Sequence, residues 1–102
     1  MSEWHDAADA GAVVEDEVLG CVVGGVPVAL FRVEGQVFAL HDLCSHGQAR
    51  LSDGYVEDGC VECPLHQGLV DIRTGEPRTA PITAPVRSIP AREVNGRVEV
   101  QL

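Results

Sequence analysis

Lysine is absent from this chain of 102 residues. Seven arginines face sixteen carboxylates, and the formal net charge is −9. A surface of that sign repels phosphate backbones and anionic lipid, so neither nucleic acid nor a membrane is expected as a partner. Two readings of the charge stay open: plain solubility, and docking to a basic patch on another protein. Long apolar runs are also missing, and none approaches the ~18 residues needed to cross a bilayer. The start, Met1-Ser2-Glu3-Trp4-His5-Asp6, is acidic and lacks the basic end and apolar centre of a secretory signal. A soluble, cytoplasmic chain is the expectation. No stretch carries a 3.6-residue period, and there are no internal repeats.

What is present points to one globular domain over residues 1–102. The length is close to the most common domain size, and 45 % of the residues are hydrophobic, enough for a core. Four cysteines, Cys21, Cys44, Cys60 and Cys63, could form two disulfides in a secreted protein. In a reducing compartment, cysteines interleaved with histidines read as metal ligands instead.

The strand signals are strong from Glu17 onward. Val18 to Val23 is β-branched and apolar, and Gly24-Gly25 marks a tight turn. Val26 to Val33 follows, with Pro27 near its start where a strand tolerates it. Glu34-Gly35 is the next turn, and Gln36 to His41 forms the third strand of an antiparallel meander. Before it, a short strand near Trp4 and then a loop are predicted, with Trp4 as a core anchor and His5 exposed. Asp71 to Pro77 reads as a short strand ending in a Thr-Gly turn. Residues 77–90 hold four of the six prolines and read as an extended surface connector. The chain closes with a hairpin, 91–94 and 97–102 about Asn95-Gly96. The class is all-β, a sandwich or small barrel.

Two short stretches carry the chemistry: Cys44-Ser45-His46-Gly47 and Cys63-Pro64-Leu65-His66, with sixteen residues between His46 and Cys63. Each offers one thiolate and one imidazole. In a two-iron cluster the bridging sulfides supply two ligands to each iron, so the protein supplies four. A Rieske [2Fe–2S] centre takes two cysteines on one iron and two histidines on the other. Cys44 and Cys63 would hold the first iron, His46 and His66 the second, and each loop would thus bind both irons. Neutral imidazoles in place of thiolates raise the reduction potential. Gly47 and Gly68 would let backbone N–H groups approach the sulfurs, and Pro64 would stiffen the second loop. The alternative is a tetrahedral Cys2His2 zinc site in a β-domain that serves as an interaction module. Zinc sites usually pair their cysteines as Cys-x-x-Cys, a spacing found here only between Cys60 and Cys63.

Other candidates read as structural. Cys21 and Cys60 look like small apolar strand residues. His41, three residues before Cys44, is either a hydrogen-bond partner behind the ligands or a plain structural histidine. Asp53, Glu57, Asp58 and Glu62 are either a solvated face or a docking surface.

Over nearly its whole length the chain resembles the Rieske-type ferredoxins of multicomponent aromatic-ring-hydroxylating dioxygenase systems, such as those of naphthalene or biphenyl degradation. The resemblance is densest in Leu43-Cys44-Ser45-His46-Gly47, Leu51-Ser52-Asp53-Gly54-Tyr55 and Glu62 to Gly68, continuing through Asp71-Ile72-Arg73-Thr74-Gly75. It implies a Rieske fold, with an antiparallel β-sandwich base and a small cluster-binding subdomain at about residues 42–70. It implies one [2Fe–2S] cluster on Cys44, His46, Cys63 and His66, with the histidine-ligated iron at an exposed tip. With four residues spent on the cluster and only His5 and His41 spare, 102 residues cannot also supply a mononuclear iron and a substrate pocket, so a monomeric electron carrier rather than an enzyme is expected. That carrier would work between an NAD(P)H-dependent flavoprotein ferredoxin reductase and a terminal Rieske oxygenase. A Rieske subunit of another oxidoreductase is the alternative within the same fold. Respiratory Rieske proteins add a disulfide at positions held here by Ala49 and Leu65. They also carry serine and tyrosine hydroxyls where this chain has Gly68 and Val70. With those donors missing, the expected potential lies near the low end of the Rieske range, roughly −150 mV.

Overall fold

The computed structural model describes residues 3–43, 49–64, 68–79 and 84–102. Among these, the regular elements are ten strands and two single turns of 3-10 helix. The chain runs β1 (Trp4–Asp9), a 3-10 turn (Ala10–Ala12), β2 (Val18–Val23), β3 (Val26–Val33) and β4 (Gln36–His41). A second 3-10 turn (Leu51–Asp53) precedes β5 (Tyr55–Glu57), β6 (Cys60–Glu62) and β7 (Leu69–Asp71). The last strands are β8 (Ser88–Ile89), β9 (Ala91–Val94) and β10 (Arg97–Gln101). Gly24-Gly25, Glu34-Gly35, Asp58-Gly59 and Asn95-Gly96 each join two strands as a two-residue loop with positive φ at both positions. That pairing matches the right-handed twist of the flanking strands.

Three antiparallel sheets result: β1-β10-β9, β2-β3-β4-β8 and β5-β6-β7. The four-stranded sheet is the middle layer. One of its faces, with Val28, Leu30, Val37 and Ala39, packs against Val98 and Val100 of β10. The other, with Ala29, Phe31 and Leu40, packs against Val61 and Val70 of the small sheet and Ile72 just after its last strand. Four consecutive residues of β3, Val28 to Phe31, are therefore fully buried, as in a strand covered on both sides. This is the antiparallel sandwich base with a smaller sheet set upon it.

The meander and the closing hairpin lie where the sequence places them, and several local expectations shift. Trp4 belongs to neither core. It is half-buried, and the Arg92 guanidinium lies 4.1 Å from its ring centroid, a cation–π contact. His5 is half-buried because the acidic start is a strand, paired at His5 with Val100 of β10. That strand runs on to Asp9, whose carboxylate accepts from Gly11 N–H and caps the 3-10 turn. The strand expected over Asp71 to Pro77 ends at Asp71, since its carboxylate accepts the Arg73 N–H (2.8 Å) and turns the chain. The proline-rich connector also contributes to the sheets. Pro77 bridges Val70, and Ser88–Ile89 pairs with β4.

Candidate metal centre

Each of the two ligand stretches leaves and re-enters the described structure through a closed neck. At the first, Leu43 and Arg50 pair as an antiparallel bridge, and the Leu51 N–H donates to the Asp42 carbonyl at 2.8 Å. The Asp42 side chain, only 1 % exposed, is the one buried charged group among the described residues. Its Oδ1 accepts the Ser52 N–H at 2.7 Å and its Oδ2 accepts the Ser52 hydroxyl at 2.6 Å. A buried carboxylate must have such partners to offset its lost hydration. At the second neck, Glu62 pairs with Leu69, and the Cys63 N–H donates to the Gly68 carbonyl at 2.9 Å. Leu69 is held from outside as well, its N–H donating to Thr79 Oγ1 at 2.8 Å and its carbonyl accepting from the Arg78 N–H at 2.7 Å.

The two necks share one core. Ala49 and Leu51 from the first, and Cys63 from the second, are all buried in the cluster that joins the small sheet to the base. Gly54 adds a direct link, because a Cβ there would lie 1.9 Å from the carbonyl oxygen of Glu62, the residue before Cys63. The chain leaving the first loop thus presses on the strand that enters the second.

Of the four expected ligands, Cys63 is described and fully buried. Cys44, His46 and His66 lie outside the described residues. Cys21 and Cys60 sit half-buried on β2 and β6, as small strand residues. Burial pushes both thiols up, opposed at Cys60 by the Arg78 charge. His41 ends β4 opposite Val28, and its backbone N–H donates to the Arg87 carbonyl at 2.9 Å. The acidic residues Glu57, Asp58 and Glu62 line a groove of about 370 Å³ with Cys60, Leu69 and Arg78. Arg78 is already engaged with Asp71 at 3.1 Å. The sequence assigns no role to Asp42, and it marks Ser52 and Gly54 only as part of a block of resemblance. A polar pair ten residues apart looks like two surface residues until the loop between them closes.

Residues 3–90 match the model of the Rieske [2Fe–2S] domain. The chain belongs to the Rieske family. Its cofactor is a Rieske [2Fe–2S] cluster, which removes the zinc alternative. The domain is 60 % identical, over all of this chain and 94 % of the relative, to the anthranilate 1,2-dioxygenase ferredoxin subunit of Burkholderia cepacia. Among solved structures, a ferredoxin of Sphingomonas yanoikuyae B1 superposes with a TM-score of 0.92 at 30 % identity, covering 98 % of this chain and 99 % of that one. A chain from a complex of reduced oxygenase and oxidised ferredoxin in carbazole 1,9a-dioxygenase superposes at 0.87 with 33 % identity, covering 95 % and 91 %. This Rieske domain is therefore an electron-carrying ferredoxin component of the dioxygenase-system type.

The donor chemistry suits that group. A thiolate at Cys63, withdrawn from solvent among aliphatic side chains, is a soft ligand in the kind of surroundings that tune a cluster. The two closed necks supply one Cys/His stretch each, which is the division of ligands a Rieske centre requires.

Proposed function

We propose that Cys44, His46, Cys63 and His66 hold the [2Fe–2S] cluster. We further propose that the chain shuttles single electrons from an NAD(P)H-dependent flavoprotein reductase to a terminal ring-hydroxylating oxygenase. The observation that carries this reading is Cys63, buried in the same core as the end of the first ligand stretch, in a chain with full-length likeness to a dioxygenase ferredoxin subunit. When bound, the cluster supplies a one-electron acceptor whose potential lies above that of all-cysteine clusters. The protein contributes the rest. The aliphatic core keeps water from Cys63, and the paired necks restrain both stretches, so that a change of charge requires little rearrangement. His5 and His41, the histidines left over, lie in different sheets. Oxygenation itself is therefore assigned to the partner. The carrier works as a single folded unit of residues 1–102, as a cytoplasmic monomer. Among the described residues no helix is long and apolar enough to cross a membrane.

The test is His66→Ala. It is expected to abolish both the Rieske EPR signal, whose average g lies below that of all-cysteine clusters, and the oxygenation coupled through the carrier. Retention of both refutes the ligand assignment.

A further inference from the structure

Among the described residues, the side-chain hydrogen bonds that Asp42 accepts come from Ser52, and the residues between these two in sequence include Cys44 and His46. The pair spans the first ligand stretch and nothing else. Three further features tie it to the site. The Ser52 N–H that Asp42 accepts lies within the 3-10 turn Leu51–Asp53, whose first flanking residue, Arg50, offers no side-chain cap, so Asp42 takes that part from across the loop. The turn delivers Gly54 against the Glu62 carbonyl, one residue before Cys63. From the other side, β2 passes at Gly20, where a Cβ would stand 2.7 Å from Ser52 Cβ and Oγ and 3.3 Å from Asp42 Oδ2. Asp42, Ser52, Gly54 and Glu62 therefore form a continuous mechanical path from the residues before Cys44 to the residue before Cys63.

We propose that the Asp42–Ser52 pair is a latch that positions the two cysteine-bearing stretches against each other and governs how long the cluster is held, separately from how stably the chain folds. The proposal rests on the ligand assignment above. A hydrogen bond to a charged group contributes enough to change a local opening equilibrium by about tenfold or more. The cluster is exposed to loss when the neck opens, whereas the base, with its own second core around Val98 and Val100, stays folded.

Ser52→Ala removes the hydroxyl donor, Asp42→Asn replaces an acceptor with a donor, and Gly20→Ala wedges the pair from β2 without altering either partner. Val98→Ala weakens the fold at the far core and leaves the neck untouched. For each cluster-loaded protein, three quantities would be measured: the rate of loss of visible absorbance in excess chelator, the thermal midpoint by far-UV circular dichroism, and the EPR line width. The latch variants are expected to lose the cluster about tenfold faster than Val98→Ala at an equal or higher thermal midpoint. Their EPR lines should broaden as the stretches sample more positions. If loss rates follow thermal midpoints along one line for all four variants, with line widths unchanged, the latch is overturned. Should Asp42→Asn fail to fold, Ser52→Ala and Gly20→Ala decide. The two-histidine signature of the unaltered protein tests the ligand assignment, and the ratio of loss rates tests the latch, so each can fail alone.

Discussion

Gly54→Ala separates steric crowding from backbone strain. Gly54 has φ −95° and ψ −163°, an extended conformation open to any residue, so an alanine there is not penalised by its dihedrals. It is penalised by space. The new methyl would start 1.9 Å from the Glu62 carbonyl oxygen, which must retreat by about 1.1 Å merely to reach 3.0 Å. That carbonyl belongs to β6, which is paired on both sides, so the displacement spreads into the small sheet and the neck at Cys63. Overpacking of this kind costs about 1–3 kcal/mol, and a paired strand puts the value near the top of that range. In a domain of this size 3 kcal/mol corresponds to a fall in melting temperature of about 12–24 °C. Gly96→Ala is the matched opposite. There φ is +78° with nothing within 4 Å of a Cβ, so the loss is the left-handed backbone penalty alone, about 1 kcal/mol or about 4–8 °C. Thermal unfolding of the two variants side by side, followed by far-UV circular dichroism and visible absorbance, is the assay. The visible colour of Gly54→Ala should fade before its circular dichroism does. If Gly54→Ala melts no lower than Gly96→Ala, the close approach of the two ligand stretches is refuted.

Four other outcomes are expected. Redox titration should give a midpoint near the low end of the Rieske range, roughly −150 mV, and Gly68→Ser should raise it by adding a hydroxyl donor; a clearly positive midpoint in the unaltered protein contradicts this. Cys60→Ser should keep the full Rieske spectrum. Because burial holds the Cys21 and Cys60 thiols up, iodoacetamide should label both more slowly at neutral pH than it labels a free thiol, with rates still climbing past pH 9. The Arg97 side chain, hydrogen-bonded to Asp6 at 2.8 and 2.7 Å, holds that carboxyl below its usual range. Its lowered folded value means that the contribution of the pair is present above about pH 3.9, the unfolded value, and is lost as pH falls through the folded value. Carboxyl NMR of Arg97→Ala should find Asp6 titrating in the ordinary range, and added salt should move the unaltered protein the same way.

The base was legible because glycine punctuates it. Gly24-Gly25, Glu34-Gly35 and Asn95-Gly96 bound β-branched runs, and their two-residue geometry leaves little freedom in where the strands end. Asp58-Gly59 carries the same signal with the same positive φ pair, yet its flanking strands are three residues each. With four carboxylates at Asp53, Glu57, Asp58 and Glu62, that stretch read as a solvated face or a docking surface. Val56, Val61 and Val70 are the central residues of three-residue strands, and only the core beneath them shows that they alternate. β8 escaped for a related reason. Two residues flanked by Pro85 and Pro90 have no propensity of their own, and β4 recruits them as an edge. Trp4 read as core from composition alone, whereas Arg92 from β9 supplies the cover that a hydrophobic layer would otherwise give. The ligand residues were legible as spacing. What holds them was not, because the Asp42–Ser52 contact exists only once the loop has closed.

The double burial of β3 has a consequence for how the chain finds its pairing. In a strand with one wet face, sliding by a single residue would bury the polar set, and that penalty protects the alignment. Val28, Ala29, Leu30 and Phe31 offer no such protection, since both faces are apolar. Alignment must then be dictated from the ends, by the two tight loops at Gly24-Gly25 and Glu34-Gly35. A one-residue insertion in either loop should therefore scramble the middle layer more thoroughly than loss of a methylene from its centre. In this molecule exposed loop residues of the base act as the rulers for its most hidden strand.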